Sequence, residues 1–68
     1  MKDYIGWVDE NRKWGSPLGV VKTVDGMRPI YGDGTMTGAV DESYIKGMKQ
    51  VTIRVTPKPG FTDVKVIE

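Results

Sequence analysis

At 68 residues, with 10 Lys and Arg against 9 Asp and Glu and with no Cys or His, the chain is limited to one small domain with one core. The missing Cys and His exclude disulfides, thiolate chemistry and the usual structural zinc sites, so neither a cofactor nor a metal is expected. No apolar run approaches the roughly 18 residues that span a bilayer, and the opening Met1-Lys-Asp-Tyr-Ile-Gly-Trp-Val lacks the apolar core and cleavage site of a secretory signal. A soluble, cytoplasmic protein with no membrane partner is the expectation.

Composition selects the secondary-structure class. Val contributes 9 residues, Thr 6 and Ile 5, whereas Leu and Ala contribute one each. β-Branched side chains are stiff at χ1 and suit a pleated surface, while a helical domain of this size draws on Leu and Ala. Punctuation by 9 Gly and 4 Pro predicts short strands and tight turns.

In chain order, Asp3 to Val8 reads as a first strand, with Tyr4, Gly6 and Val8 on one face and Ile5 and Trp7 on the other. A charged turn over Asp9-Glu-Asn-Arg-Lys leads into Trp14-Gly-Ser-Pro-Leu, where Pro17 prevents regular pairing and Trp14 is placed to face Trp7. Gly19 to Val24 is the next strand, closed by Asp25-Gly26, a dipeptide suited to a type I′ hairpin turn. Met27 to Tyr31 carries Pro29, which has no amide proton for a ladder and demotes the segment to an edge strand or irregular connection. Asp33-Gly34 then turns into Thr35-Met-Thr-Gly-Ala-Val, with Met36 and Val40 facing one way. Residues 41–49 hold the one candidate helix, of one or two turns or a 3₁₀ turn. Asp41 is its N-cap candidate, Ile45 and Met48 point to the core, Gly47 weakens it, and Lys46 and Lys49 suit its negative end.

The last stretch carries the clearest pattern. Val51, Ile53 and Val55 share one face of a strand and Thr52, Arg54 and Thr56 the other; Val64 and Val66 oppose Asp63 and Lys65 in a second strand, and Pro57-Lys58-Pro59-Gly60 joins the two. An isolated hairpin is marginal in water, so the rest of the chain must cover its Val and Ile face. The fold expected is mainly β: a small antiparallel barrel or strongly twisted sheet of about five to six short strands with one short helix or 3₁₀ turn. Residues 1–68 form a single compact domain without a linker or tail of note, read as a complete small gene product. This succession of short strands resembles SH3-like and OB-like small barrels in outline. The resemblance rests on strand order and size, not on a signature motif, and implies no particular activity.

Catalysis is not expected. Histidine and cysteine are absent, and Ser16 and Ser43 sit in no nucleophile elbow. Gly32-Asp-Gly-Thr-Met-Thr-Gly has the glycines of a phosphate loop at the wrong spacing and before a strand, so a tight turn explains them. Asp25, Asp33 and Asp41 recur every eight residues, where turns and a helix cap call for Asp, and the calcium-loop spacing is absent.

Charge is divided along the chain. Residues 1–42 carry five basic and seven acidic side chains, for a net −2, and residues 43–68 carry five and two, for a net +3. Lys46, Lys49, Arg54, Lys58 and Lys65 are therefore candidates for one basic surface, with Arg54 and Lys65 on the polar face of the terminal hairpin. Large apolar residues at loop tips are candidate interface anchors, and Trp14 and Phe61 occupy such places. The function expected is that of a small non-enzymatic binding protein, a protein-interaction or regulatory module that uses loop-tip aromatics and a basic sheet face, with a virus- or phage-encoded accessory regulator as one form of it. Its site residues are Trp14, Tyr31, Arg54, Lys58, Phe61 and Lys65. The alternative is a nucleic-acid-binding β-barrel that uses the basic face of residues 46–65. Self-association by strand pairing is the third expectation, through Gln50 to Val55, Val64 to Ile67 or an open edge at Met27 to Tyr31.

Overall fold

The computed structural model describes residues 1–11 and 16–68. Five strands, β1 (Lys2–Val8), β2 (Gly19–Thr23), β3 (Gly26–Ile30), β4 (Lys49–Lys58) and β5 (Phe61–Ile67), form one antiparallel sheet in the order β3-β2-β1-β4-β5. The chain is mainly β, as its Val, Thr and Ile content requires, and of the two forms expected the sheet takes the open one. The first strand is central. β1 pairs with β4 along its whole length, from Lys2 opposite Val55 to Val8 opposite Lys49, but meets β2 only at Gly6 opposite Val21 and Trp7 opposite Val20.

Directly opposed residues share a face, so the register defines two surfaces. The inner one carries Tyr4, Gly6, Val8, Val21, Ile30, Val51, Ile53, Val55 and Val64, and Val21, Ile30 and Ile53 are fully buried there. Gly6 is required at the centre: a Cβ there would lie 2.5 Å from Ile53 Cδ1 and 2.7 Å from Cγ1. The opposite side is divided. Toward β2 and β3 it holds Trp7, Val20, Met27 and Pro29, with Val20, Met27 and Pro29 buried; toward β4 and β5 it is open.

Three connecting segments correct or refine the expectation. At the β2–β3 hairpin Thr23 pairs with Gly26, so Val24-Asp25 is the turn. Within this hairpin Gly26 takes positive φ (110°) and Val24 and Asp25 do not, which overturns the type I′ turn on Asp25-Gly26: that form needs two positive-φ residues, and only the glycine accepts one without strain. Thr35 to Val40 is not a strand but two bridges, Ile30 to Met36 and Met27 to Val40, out of register with each other by one residue. The helix candidate is a 3₁₀ turn over Glu42–Ile45. Asp41 occupies the N-cap position without a side-chain cap bond, Lys46 is the C-cap, and Lys49 already belongs to β4.

Pro29 lies on the edge strand as expected. Its carbonyl points away from β2 and accepts Thr37 N at 3.0 Å, so its missing N–H also falls on the outer side and costs the β2–β3 ladder nothing. Val40 N donates to Met27 O at 2.7 Å and Tyr31 N to Thr35 O at 2.8 Å. The edge that the sequence left open at Met27 to Tyr31 is thus occupied by the chain's own Thr35 to Val40.

Candidate functional surface on the terminal hairpin

The β4–β5 hairpin turns on Pro59-Gly60, with Lys58 opposite Phe61. Pro presets φ for the first central position of a type II turn and Gly supplies the positive φ of the second, here 83° at Gly60. The backbone of the tip is therefore set by these two residues. From it, register places Lys58 opposite Phe61, Thr56 opposite Asp63, Arg54 opposite Lys65 and Thr52 opposite Ile67, all on the outer face. β1 continues this face with Asp3 opposite Arg54 and Ile5 opposite Thr52.

Four of the six sequence-predicted site residues, Arg54, Lys58, Phe61 and Lys65, therefore share one face of one hairpin. Tyr31 does not join them. It is half-buried at the foot of the Gly32–Gly34 turn, where its carbonyl accepts Gly34 N at 3.0 Å. That turn is also held by Asp33 Oδ1, which accepts Thr35 N at 2.9 Å, an arrangement that keeps the Asp33 carboxyl below its usual range. Trp14, and with it the proposed contact to Trp7, lies outside the described residues.

Ion pairing reshapes the basic surface. Arg54 Nε donates to Asp3 Oδ1 at 2.8 Å and Nη2 to Asp3 Oδ2 at 3.1 Å, a two-pronged fork across the β1–β4 pair. The hydrogen bonds and charge of Arg54 hold the Asp3 carboxyl below its ordinary range, and Asp3 in return raises Arg54. Lys65 Nζ lies 3.9 Å from Asp63 Oδ2. Lys49 falls on the inner register, opposite Val8, and donates to Glu68 Oε1 at 2.8 Å, which raises Lys49 and lowers Glu68. Lys46 lies at the end of the 3₁₀ turn, off this hairpin. The run of cations from 46 to 65 is thus split between surfaces and interleaved with acids.

Apolar exposure is the other property of this face. Phe61 is 61% exposed and Ile5 51% exposed. Ile5 was missed by sequence reasoning because the register that turns it outward, opposite Thr52, depends on pairing with a strand more than forty residues away. Among the described residues no three acidic side chains converge on a metal-sized site, and no helix is long and apolar enough to cross a membrane.

A scan of protein-family models finds no match to the chain, and comparisons with curated proteins and with solved structures find none either.

Proposed function

We propose that this is a non-enzymatic protein-binding module that acts as a regulator, and that its partner docks on the outer face of the β4–β5 hairpin around Phe61. One observation carries the reading: the chain's single Phe is 61% exposed at the tip of a turn fixed by Pro59 and Gly60, on the same face as Lys58, Arg54 and Lys65. An aromatic side chain offers a large contact area for only two side-chain torsions to be fixed and suits an interface anchor. The chemistry that complements it is an apolar pocket with an acidic rim facing Lys58.

The nucleic-acid reading draws less support from the same face. Affinity for a phosphate backbone comes from cations that release counterions, and here Arg54 is forked to Asp3 and Lys65 lies beside Asp63. The test is affinity capture from source-cell lysate with the intact chain, Phe61→Ala and Val24→Ala. Val24 is fully exposed at the tip of the other hairpin and serves as the control. A stoichiometric partner lost with Phe61→Ala and kept with Val24→Ala supports the proposal. A partner retained by both variants, or oligonucleotide binding that falls steeply with salt and is lost in Lys58→Ala, overturns it.

A further inference from the structure

The two edges of the sheet are finished differently. β3 is covered by Thr35 to Val40, whereas β5 has no strand on its far side among the described residues. Lys58 and Phe61 flank a two-residue turn and so form a hydrogen-bonded pair; alternation from there aims the N–H and C=O groups of Thr62, Val64 and Val66 away from β4. The Gly34 turn packs beneath the sheet against the Thr62 side chain, but none of its backbone groups bonds to β5. Val66, although on the core-facing side opposite Ile53, is 37% exposed, as a residue beside an unfilled strand position is. Exposed edges of this kind are templates for another strand.

The order of residues along β5, Phe61-Thr-Asp-Val-Lys-Val-Ile67, states which strand fits. An antiparallel copy centred on Val64 sets Val64 against Val64 and Thr62 against Val66. It also sets Asp63 against Lys65 and Phe61 against Ile67, each twice by symmetry. Every outward amide and carbonyl then has a partner, and the unlike charges meet directly on the outer face, where opposite-sign cross-strand pairs favour a register and like-sign pairs oppose it. Slipping the copy by two residues sets Lys65 against Lys65 or Asp63 against Asp63. We infer that this chain forms a two-fold dimer through antiparallel pairing of β5 with β5 of a second copy in the register centred on Val64, giving one continuous ten-stranded sheet. The dimer is independent of the heterologous docking proposed above and doubles the outer face, bringing the Phe61 of one copy beside the Ile67 of the other.

Charge reversal tests the register without touching the core. Alone, Asp63→Lys sets Lys against Lys in both pairs and Lys65→Asp sets Asp against Asp. Mixed, the two variants are complementary at all four positions. Sedimentation equilibrium of the full chain from micromolar to about 1 mM should show a dimer that each single variant weakens by about tenfold or more and that the equimolar mixture restores as a heterodimer. Amide exchange at Thr62, Val64 and Val66 should slow with rising concentration in the intact chain and not in the single variants, while circular dichroism stays constant. A wild-type chain still monomeric at 1 mM, a dimer indifferent to both reversals, or a mixture no tighter than its components would overturn the inference.

Discussion

The packing of Gly6 against Ile53 yields a test that needs no knowledge of function. In Gly6→Ala the new Cβ falls 2.5 Å from Ile53 Cδ1, 2.7 Å from Cγ1 and 3.1 Å from the Val20 carbonyl oxygen, and Ile53 has no accessible surface into which to retreat. Overpacking of this kind costs about 1–3 kcal/mol. Ile53→Val removes Cδ1 and leaves a small void, at about 0.5–1.5 kcal/mol. In the double variant the methyl introduced by Gly6→Ala enters the space that Cδ1 vacated, and Cγ1, now a terminal methyl, gains room to move. The two changes are therefore expected to be non-additive, with the pair less destabilising than the sum of the singles by about 1 kcal/mol. In a domain this small, that coupling corresponds to about 4–8 °C in Tm. Urea denaturation of all four proteins at one temperature, checked by thermal melts, measures it. Additivity within about 0.3 kcal/mol would mean that the two side chains do not compete for the same space and would refute the packing derived for the centre of the sheet.

Two further outcomes follow from the outer face and its turn. The Asp3 carboxyl is held below its ordinary range in the fold, so its contribution to stability is fully present above the unfolded pKa and is lost as pH falls through the folded one. The stability difference between the intact chain and Asp3→Asn should then be constant above about pH 5 and shrink below about pH 4, in denaturant titrations across that range. Gly60→Ala places a Cβ at φ 83° in open space, so it should cost about 1–2 kcal/mol from backbone strain alone, read as a lower Tm with no new contact to relieve it.

Much of the fold was legible because its determinants are local. Alternation of Val51, Ile53 and Val55 against Thr52, Arg54 and Thr56 fixed the faces of β4 before any partner strand was known, and Pro29 marked an edge because no neighbour changes its missing N–H. What depends on distant pairing was hidden. The central place of β1 rests on contacts with β4 about 50 positions away, and so does the Asp3–Arg54 fork that neutralises what the sequence presents as a free cation. The same distance concealed Ile5 as an outer-face residue. At the β2–β3 turn the misreading was stereochemical: Asp25-Gly26 has the letters of a type I′ turn, but one positive-φ residue after Val24-Asp25 closes the hairpin at lower cost. Around the candidate site, alternation put Arg54 and Lys65 on one polar face, as the register has them, whereas Phe61 was picked as a loop-tip residue and its place on that face follows from its pairing with Lys58; Tyr31 was picked as an aromatic, and its carbonyl is tied into a turn.

The central claim is that Phe61 and its neighbours on the outer face of the terminal hairpin contact a protein partner. Site-specific photocrosslinking tests it most directly, with a photoreactive phenylalanine analogue placed in turn at Phe61, Lys58 and, as control, Val24, in the cells that express the chain. The account predicts one adduct from positions 61 and 58 that contains a second, different protein, distinct by mass from the two-copy adduct that β5 pairing gives at 61, and none from 24. Adducts from 24 alone, or from none of the three while the chain is folded and expressed, would contradict it.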